Sequence, residues 1–265
     1  MGITNKINNY LKYKNRSINK HKVHSPFVFR LITEVFEDNN KYSDYIKLLK
    51  LQNQLNTSHR LLETCDFGSK SGNKNYISYS ESVATLNKKR SLRNKDLFLV
   101  YRLVKDIAPQ KILELGTSFG VSTLALKLAS PKSSIYTIEG CANIVEIAQE
   151  SFKQFNINDI EVINGSFDIE IPQLLNKIQE VDFVLIDGNH RKEATLKYFR
   201  CCLEHINDNS CIIIDDISWS KQMREAWIEI CKNPKVSITI DLFHMGIVFF
   251  RKGIPKQNFI LKADY

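Results

Sequence analysis

The feature that most limits how this chain folds is a regular alternation that begins at residue 96. Short apolar runs at 111–115 (KILEL), 134–138 (SIYTI), 160–164, 181–187 and 210–215 alternate with longer stretches of helical periodicity. Those stretches are 96–107, 120–129, 141–154, 170–179, 191–205 and 219–232. Continuous apolar strands separated by helices belong to a parallel sheet covered on both faces, because parallel neighbours need a crossover whose helix must bury its own stripe. The end departs from this rule. VSITIDLF and GIVFFRK flank the short turn His244-Met245-Gly246, which predicts an antiparallel hairpin. The expected fold is α/β: a doubly wound, mostly parallel, seven-stranded sheet closing in a β-hairpin.

The first 95 residues have a different character. Residues 3–55 read as mainly helical, with Ile3, Ile7, Leu11 and Ile18 near helical spacing and a second apolar cluster from Val28 to Phe36. Pro26 fits the first turn of a helix with Ser25 as its N-cap. Residues 66–95 are polar, contain Gly and Ser, and read as a long loop with room for one short helix. A loop of that length suits a lid over a binding site. The division predicted is a basic helical extension with a loop or lid over 1–95 and a ligand-binding domain over 96–265.

Charge follows the same division. Residues 1–95 carry 18 Lys/Arg against 7 Asp/Glu, whereas the remainder carries 19 against 22. A basic arm of this kind suits an anionic partner or a solvated helix. With 43% hydrophobic residues the chain can bury a large core, yet it has no unbroken run long enough to span a bilayer. Its first residues, MGITNKINNYLKYKNRS, lack the apolar stretch of a secretory signal, so the cytoplasm is the expected location. Six cysteines with no CxxC spacing read as reduced core thiols.

Ligands of open α/β sheets bind at the carboxyl ends of the strands, so those ends carry the chemistry. The first reads Glu114-Leu115-Gly116-Thr117-Ser118-Phe119-Gly120-Val121-Ser122-Thr123. Its glycines allow a tight turn onto a helix N-terminus, but the GxxxG spacing is not the GxGxxG of a pyrophosphate site. Glu114 would repel a pyrophosphate and would suit a ligand bearing an ammonium or sulfonium group. The spacing therefore argues against a nicotinamide-dependent oxidoreductase. Glu139 ends the second strand, where an acid accepts both hydroxyls of a ribose. Gly165-Ser166-Phe167 follows the third and can enclose an adenine. The fourth ends Asp187-Gly188-Asn189-His190, and the fifth ends Asp215-Asp216.

From about residue 96 the chain resembles class I S-adenosylmethionine-dependent methyltransferases, through ELGTSFGVST, IEG, NGSFD, IDGNH and the closing hairpin. It is most similar to the metal-dependent, catechol-type O-methyltransferases, through NGSFDIEIPQLL, VDFVLIDGNH and CIIIDDIS. HSPFVF at 24–29, followed by this core, is similar to uncharacterised bacterial methyltransferases. The resemblance implies that Glu114, Gly116, Gly120 and Ser122, with Thr117 and Ser118 in the same turn, hold the methionine part of the cofactor. It gives Glu139 the ribose, and Gly165, Ser166 and Phe167 the adenine. It also implies Asp187, Asp215 and Asp216 as ligands of Mg²⁺, with Asp187 doubling as a cofactor contact and catalytic group. His190 stands where that group often has a lysine base.

The activity this implies is methyl transfer to a hydroxyl of a small molecule. The alternative is an RNA methyltransferase whose basic arm grips phosphates; IDGNH resembles neither the Asp/Asn-Pro-Pro-Tyr of base-amine enzymes nor the Pro-Cys of cytosine-C5 enzymes. A methyltransferase-like binding module is the non-enzymatic reading, against which the intact strand-end acids argue. The expected partners are a small-molecule acceptor, RNA or an anionic membrane surface at the basic arm, and a second copy in a homodimer.

Overall fold

In the computed structural model, which describes residues 3–66 and 77–262, the alternation resolves into an eight-stranded sheet with helices on both faces, beside a two-stranded sheet. The chain opens with α1 (Ile3–Arg16), α2 (Pro26–Arg30) and α3 (Asp44–Thr57). β1 (Leu61–Asp66) and β2 (Ile77–Ser82) pair antiparallel and lead into α4 (Val83–Arg90) and α5 (Asn94–Ile107). Next come β3 (Lys111–Leu115), α6 (Val121–Ala129), β4 (Ser134–Glu139), α7 (Ala142–Gln154), β5 (Ile160–Asn164) and α8 (Phe167–Ile178). The chain continues through β6 (Phe183–Ile186), α9 (Lys192–Cys202), β7 (Cys211–Ile214) and α10 (Lys221–Lys232). It ends with β8 (Ile238–Asp241), β9 (Gly246–Phe249) and β10 (Gln257–Ile260).

The strand order is β10-β8-β9-β7-β6-β3-β4-β5. β9 alone runs antiparallel, against both β7 and β8. β3 has β4 on one side and β6 on the other, so the winding reverses there and a crevice opens at its carboxyl end. Strand periodicity explains the two cores. Ile112, Phe183, Leu185, Ile213 and Ile247 face one apolar cluster, shared with α2 to α7, while Leu113, Val184, Ile186, Ile212 and Val248 face the other, shared with α8 to α10.

The expected seven strands are present, and β10 adds an eighth by pairing parallel with β8. The region expected as a long loop differs more. Residues 77–82 pair with 61–66 as a hairpin, while 83–90 form the short helix that the loop had room for. LLETCD has no apolar alternation, and ISYSES alternates only over 77–80, inside a polar stretch, so their pairing is what reveals them. The part of the expected lid at 67–76 lies outside the described residues.

The basic arm is docked on the sheet. Ile18 N–H donates to Ile260 O at 2.8 Å, and Lys262 N–H donates to Ile18 O at 3.2 Å. Tyr13 donates its hydroxyl to Leu261 O, and Tyr10 meets Phe243 edge-on at 5.2 Å. Ser25 takes the N-cap position of α2, but its side chain makes no capping bond. A π-helical turn, Leu31–Phe36, follows; wide turns leave carbonyls poorly paired. Arg102 satisfies two of them, Val35 O at 2.7 Å and Phe36 O at 3.2 Å, which locks α5 to the arm. Among the described residues no helix is long and apolar enough to cross a membrane.

Candidate active site

The turn after β3 is shaped by two glycines with positive φ. Gly116 has φ +105°, and a Cβ there would stand 2.1 Å from the backbone oxygen of Asp187. The turn is thus pressed directly against the end of β6. At Gly120, with φ +83°, a Cβ would meet the Phe152 ring of α7 at 2.6 Å.

Behind the turn lies a buried polar network. Glu114 is fully buried, and its Oε2 accepts from the hydroxyls of Thr123 and Thr137. Its Oε1 has no partner. Burial pushes the carboxyl up to about 7, an effect the surrounding hydroxyls oppose. Thr117 shares a 2.6 Å hydroxyl bond with Thr137, and its N–H reaches Ile138 O, so its polar groups serve the turn itself. Ser118, at φ +47°, donates its N–H to Glu139 Oε2 at 3.0 Å while its Oγ stays buried and unpartnered. Ser122 sits in the first turn of α6.

Glu139 is held from two directions, by Ser118 N–H and by Cys141 N–H, the latter to Oε1 at 3.1 Å. Burial raises its carboxyl, and the Cys141 amide and the charge of Arg90 oppose the rise. Arg90 belongs to α4 and donates back to the hairpin, at Thr64 Oγ1, Cys65 O and Tyr79 OH. Arg90 thus links the hairpin to Glu139, a role no local motif announces. Next along the edge, Gly165 N–H donates to Glu139 O. Ser166 is the N-cap residue of α8 without a side-chain cap bond, and Phe167 lies against Gly188 and edge-on to Tyr198 at 5.5 Å. The carboxyl ends of β6, β3, β4 and β5 thus lie side by side along one edge of the sheet.

At β6 and β7 the acids stand on adjacent strand ends: Asp187 N–H donates to Leu115 O, and Asp215 N–H to Ile186 O. Burial pushes both carboxyls well above the ordinary range. The next cause is Asp216 for Asp187, and Asp187 for Asp215. His190 Nε2 lies 3.8 Å from Asp187 Oδ1, in ion-pair range, with 26% of its side chain exposed. Asn189, at φ +52°, makes the corner between them and donates to Tyr198 OH.

The expected Mg²⁺ set is not assembled: among the described residues no three His, Cys, Asp or Glu side chains converge as metal ligands. The paired carboxylates Asp187 and Asp215 are brought together, but Asp216 occupies a left-handed position at φ +54° and does not complete a donor set. Nor does Asp216 cap the next helix; Ser220 caps α10 by accepting from Met223 N–H.

Two residues on this edge have no sequence signal. Trp219 is 47% exposed just beyond the acids, and its backbone N–H donates to Asp216 O. His244 O accepts from Ile217 N–H, which places the β8–β9 turn beside Asp216. Burial lowers the His244 imidazole, with Arg93 adding to the effect.

Residues 113–217 match a family model described as a methyltransferase domain. O-methyltransferase hkm8 of Aspergillus hancockii is 30% identical over 127 residues, 45% of this chain and 48% of that protein. A transmembrane O-methyltransferase homolog of Rattus norvegicus is 32% identical over 93 residues, 33% of this chain and 36% of that protein. The chain thus spans half or less of the length of these relatives. Among solved structures, the S-adenosylhomocysteine-bound methyltransferase PaMTH1 of Podospora anserina superposes with a TM-score of 0.60 at 13% identity, covering 87% of this chain and 98% of that one. An O-methyltransferase of Bacillus cereus, in complex with S-adenosylhomocysteine, gives 0.57 at 19% identity, covering 89% and 99%. Residues 113–217 are thus similar to a methyltransferase domain, and the chain shares the Rossmann-like fold of those solved structures.

Proposed function

We propose that this chain is an S-adenosylmethionine-dependent O-methyltransferase acting on a hydroxyl of a small molecule. One observation carries the reading: Glu114 Oε1 and Ser118 Oγ are both buried without partners, in a turn that also orients Glu139. An unsatisfied buried polar atom costs about 1–3 kcal/mol. A chain that holds two of them at a sheet's switch point is arranged for a polar ligand. Glu114 suits the cationic methionine end and Glu139 the ribose hydroxyls, with Ser166 and Phe167 at the adenine. Gly116, Gly120 and Gly165 provide the close approach, Thr117 keeps the turn in shape, and Ser122 presents its hydroxyl from α6.

S-adenosylmethionine, when bound, supplies a methyl group on a positively charged sulfur. The chain's own part is to hold the acceptor oxygen in line and to remove its proton. His190 stands at the mouth of the crevice with Asp187 at 3.8 Å. As a neutral imidazole, His190 would take the acceptor's hydroxyl proton as its oxygen is methylated. The resulting imidazolium would draw the raised Asp187 carboxyl, 3.8 Å away, toward its ionised form and pair with it. Among the described residues a three-donor metal set is not assembled, and the proton is handled by the chain's own groups. Trp219 and the turn carrying His244 lie beside Asp216, and we place the acceptor on that side of the strand ends.

The named relatives are O-methyltransferases, which supports oxygen as the acceptor atom. They give no support to RNA as the acceptor. The test is transfer of label from methyl-labelled S-adenosylmethionine to a panel of hydroxylated small molecules, with bulk RNA as a parallel arm. Label in a small molecule, with kcat lowered roughly 10²- to 10⁴-fold in His190→Gln at unchanged cofactor affinity, is the expected result. Label entering RNA instead would overturn the assignment of acceptor.

A further inference from the structure

Two cysteines that no step above uses meet where the hairpin touches the ribose side of the crevice. Cys65 lies near the end of β1, and Cys141 is the N-cap residue of α7, directly after Glu139-Gly140. The hairpin is anchored on this loop. Asn143 Nδ2 donates to Glu63 O at 2.8 Å, and Cys141 Sγ lies 3.9 Å from the same oxygen. Cys65 is two residues further along β1, so its side chain leaves the strand on the same side as that of Glu63. The two thiols are near enough to interact directly, and both pack into the same apolar cluster. Cys65 is partly exposed, Cys141 is buried, and neither is in a disulfide.

We propose that Cys65 and Cys141 form a redox modification site, in which a peroxide converts the pair to a disulfide tying the hairpin to the loop that presents Glu139. Cys65, the accessible partner, reacts first: its sulfur attacks one peroxide oxygen, the O–O bond breaks, one water leaves and a sulfenic acid remains. Cys141 sulfur then attacks Cys65 sulfur, the S–O bond breaks, and the departing hydroxyl leaves as water with the remaining thiol proton. Two thiols lose one electron each and one peroxide is reduced to water. Burial raises the Cys65 thiol, so the first step quickens with rising pH.

The bond closes a long loop of chain, which constrains the unfolded state and raises Tm by roughly 5–10 °C. Because Cys141 N–H also donates to Glu139, the staple fixes the acid's loop. That consequence rests on the reading of Glu139 given above, whereas the bond itself does not.

The test oxidises the native full chain with hydrogen peroxide, blocks remaining thiols, and maps peptides by mass without reduction. A Cys65–Cys141 cross-linked peptide that dithiothreitol removes, with the higher Tm, is expected; Cys65→Ser, a change at a partly exposed position, loses both. Recovery of Cys65 as a sulfinic acid with Cys141 still a free thiol would overturn the inference. The map needs no cofactor. A cross-link without S-adenosylhomocysteine binding would therefore count against the methyltransferase reading alone, and binding without a cross-link against the redox site alone.

Discussion

Replacing Gly116 with alanine tests whether the turn after β3 is fitted to the end of β6 as tightly as its geometry implies. At φ +105° an alanine lies beyond even the left-handed well, a strain of about 1–3 kcal/mol. Its Cβ would stand 2.1 Å from Asp187 O and 3.0 Å from the carbonyl carbon, and both are backbone atoms that cannot rotate away. Relief of that overlap requires the two strand ends to part, and overpacking of this kind costs a further ~1–3 kcal/mol. Urea denaturation should therefore show a loss of about 2–6 kcal/mol. The shift also moves Asp187 relative to Ser118, so the folded fraction should bind S-adenosylhomocysteine more weakly. A variant within about 0.5 kcal/mol of wild type, binding with unchanged affinity, would refute the idea that this contact builds the site.

Glu114 makes ligand-free stability depend on pH. Its folded carboxyl sits at about 7 against an ordinary 4.5, so its stabilising contribution is complete below pH 4.5 and is lost as pH rises to about 7. Glu114→Gln should be less sensitive than wild type across that window by on the order of 3 kcal/mol, since each tenfold change in proton affinity corresponds to about 1.4 kcal/mol. Asp187 and Asp215 are raised in the same direction but remain in both proteins, so the difference between the two denaturation series isolates Glu114. Arg90→Met removes the donors to Thr64, Cys65 and Tyr79 that join β1 to β2. Hydrogen exchange should then quicken over 61–66 and 77–82 but not over 111–115, and equal protection would show that Arg90 does not hold the hairpin.

The central sheet was legible because its inner strands β3, β6, β7, β8 and β9 are buried on both faces. KILEL at 111–115 and the run at 160–164 occur as β3 and β5 with the expected bounds. The antiparallel end was legible from the short gap between two apolar runs. What escaped depends on contacts distant in sequence. LLETCD and ISYSES lie on a half-exposed hairpin whose stability comes from Arg90 and from α7, and QNFI becomes a strand only because the edge of β8 is free to pair. The site divides along the same line. Glu114, Gly116 and Glu139 sit at strand ends and could be placed by counting, whereas Arg90 acts on Glu139, and Trp219 and His244 come beside Asp216, through tertiary packing. The Mg²⁺ set shows the limit of counting: consecutive acids at one strand end cannot all point the same way, and Asp216 leaves β7 in a left-handed conformation.

Everything proposed for the crevice depends on Glu139 and the turn beside it holding a nucleoside-bearing cofactor. Calorimetric titration of S-adenosylhomocysteine into wild type and Glu139→Ala, with matched melting curves as a check on folding, tests this most directly. Saturable binding to wild type is expected, with roughly 10- to 1000-fold weaker binding to the variant, as two ribose hydroxyls lose a charged acceptor. Equal affinity in the two proteins, or no binding to wild type, would contradict it.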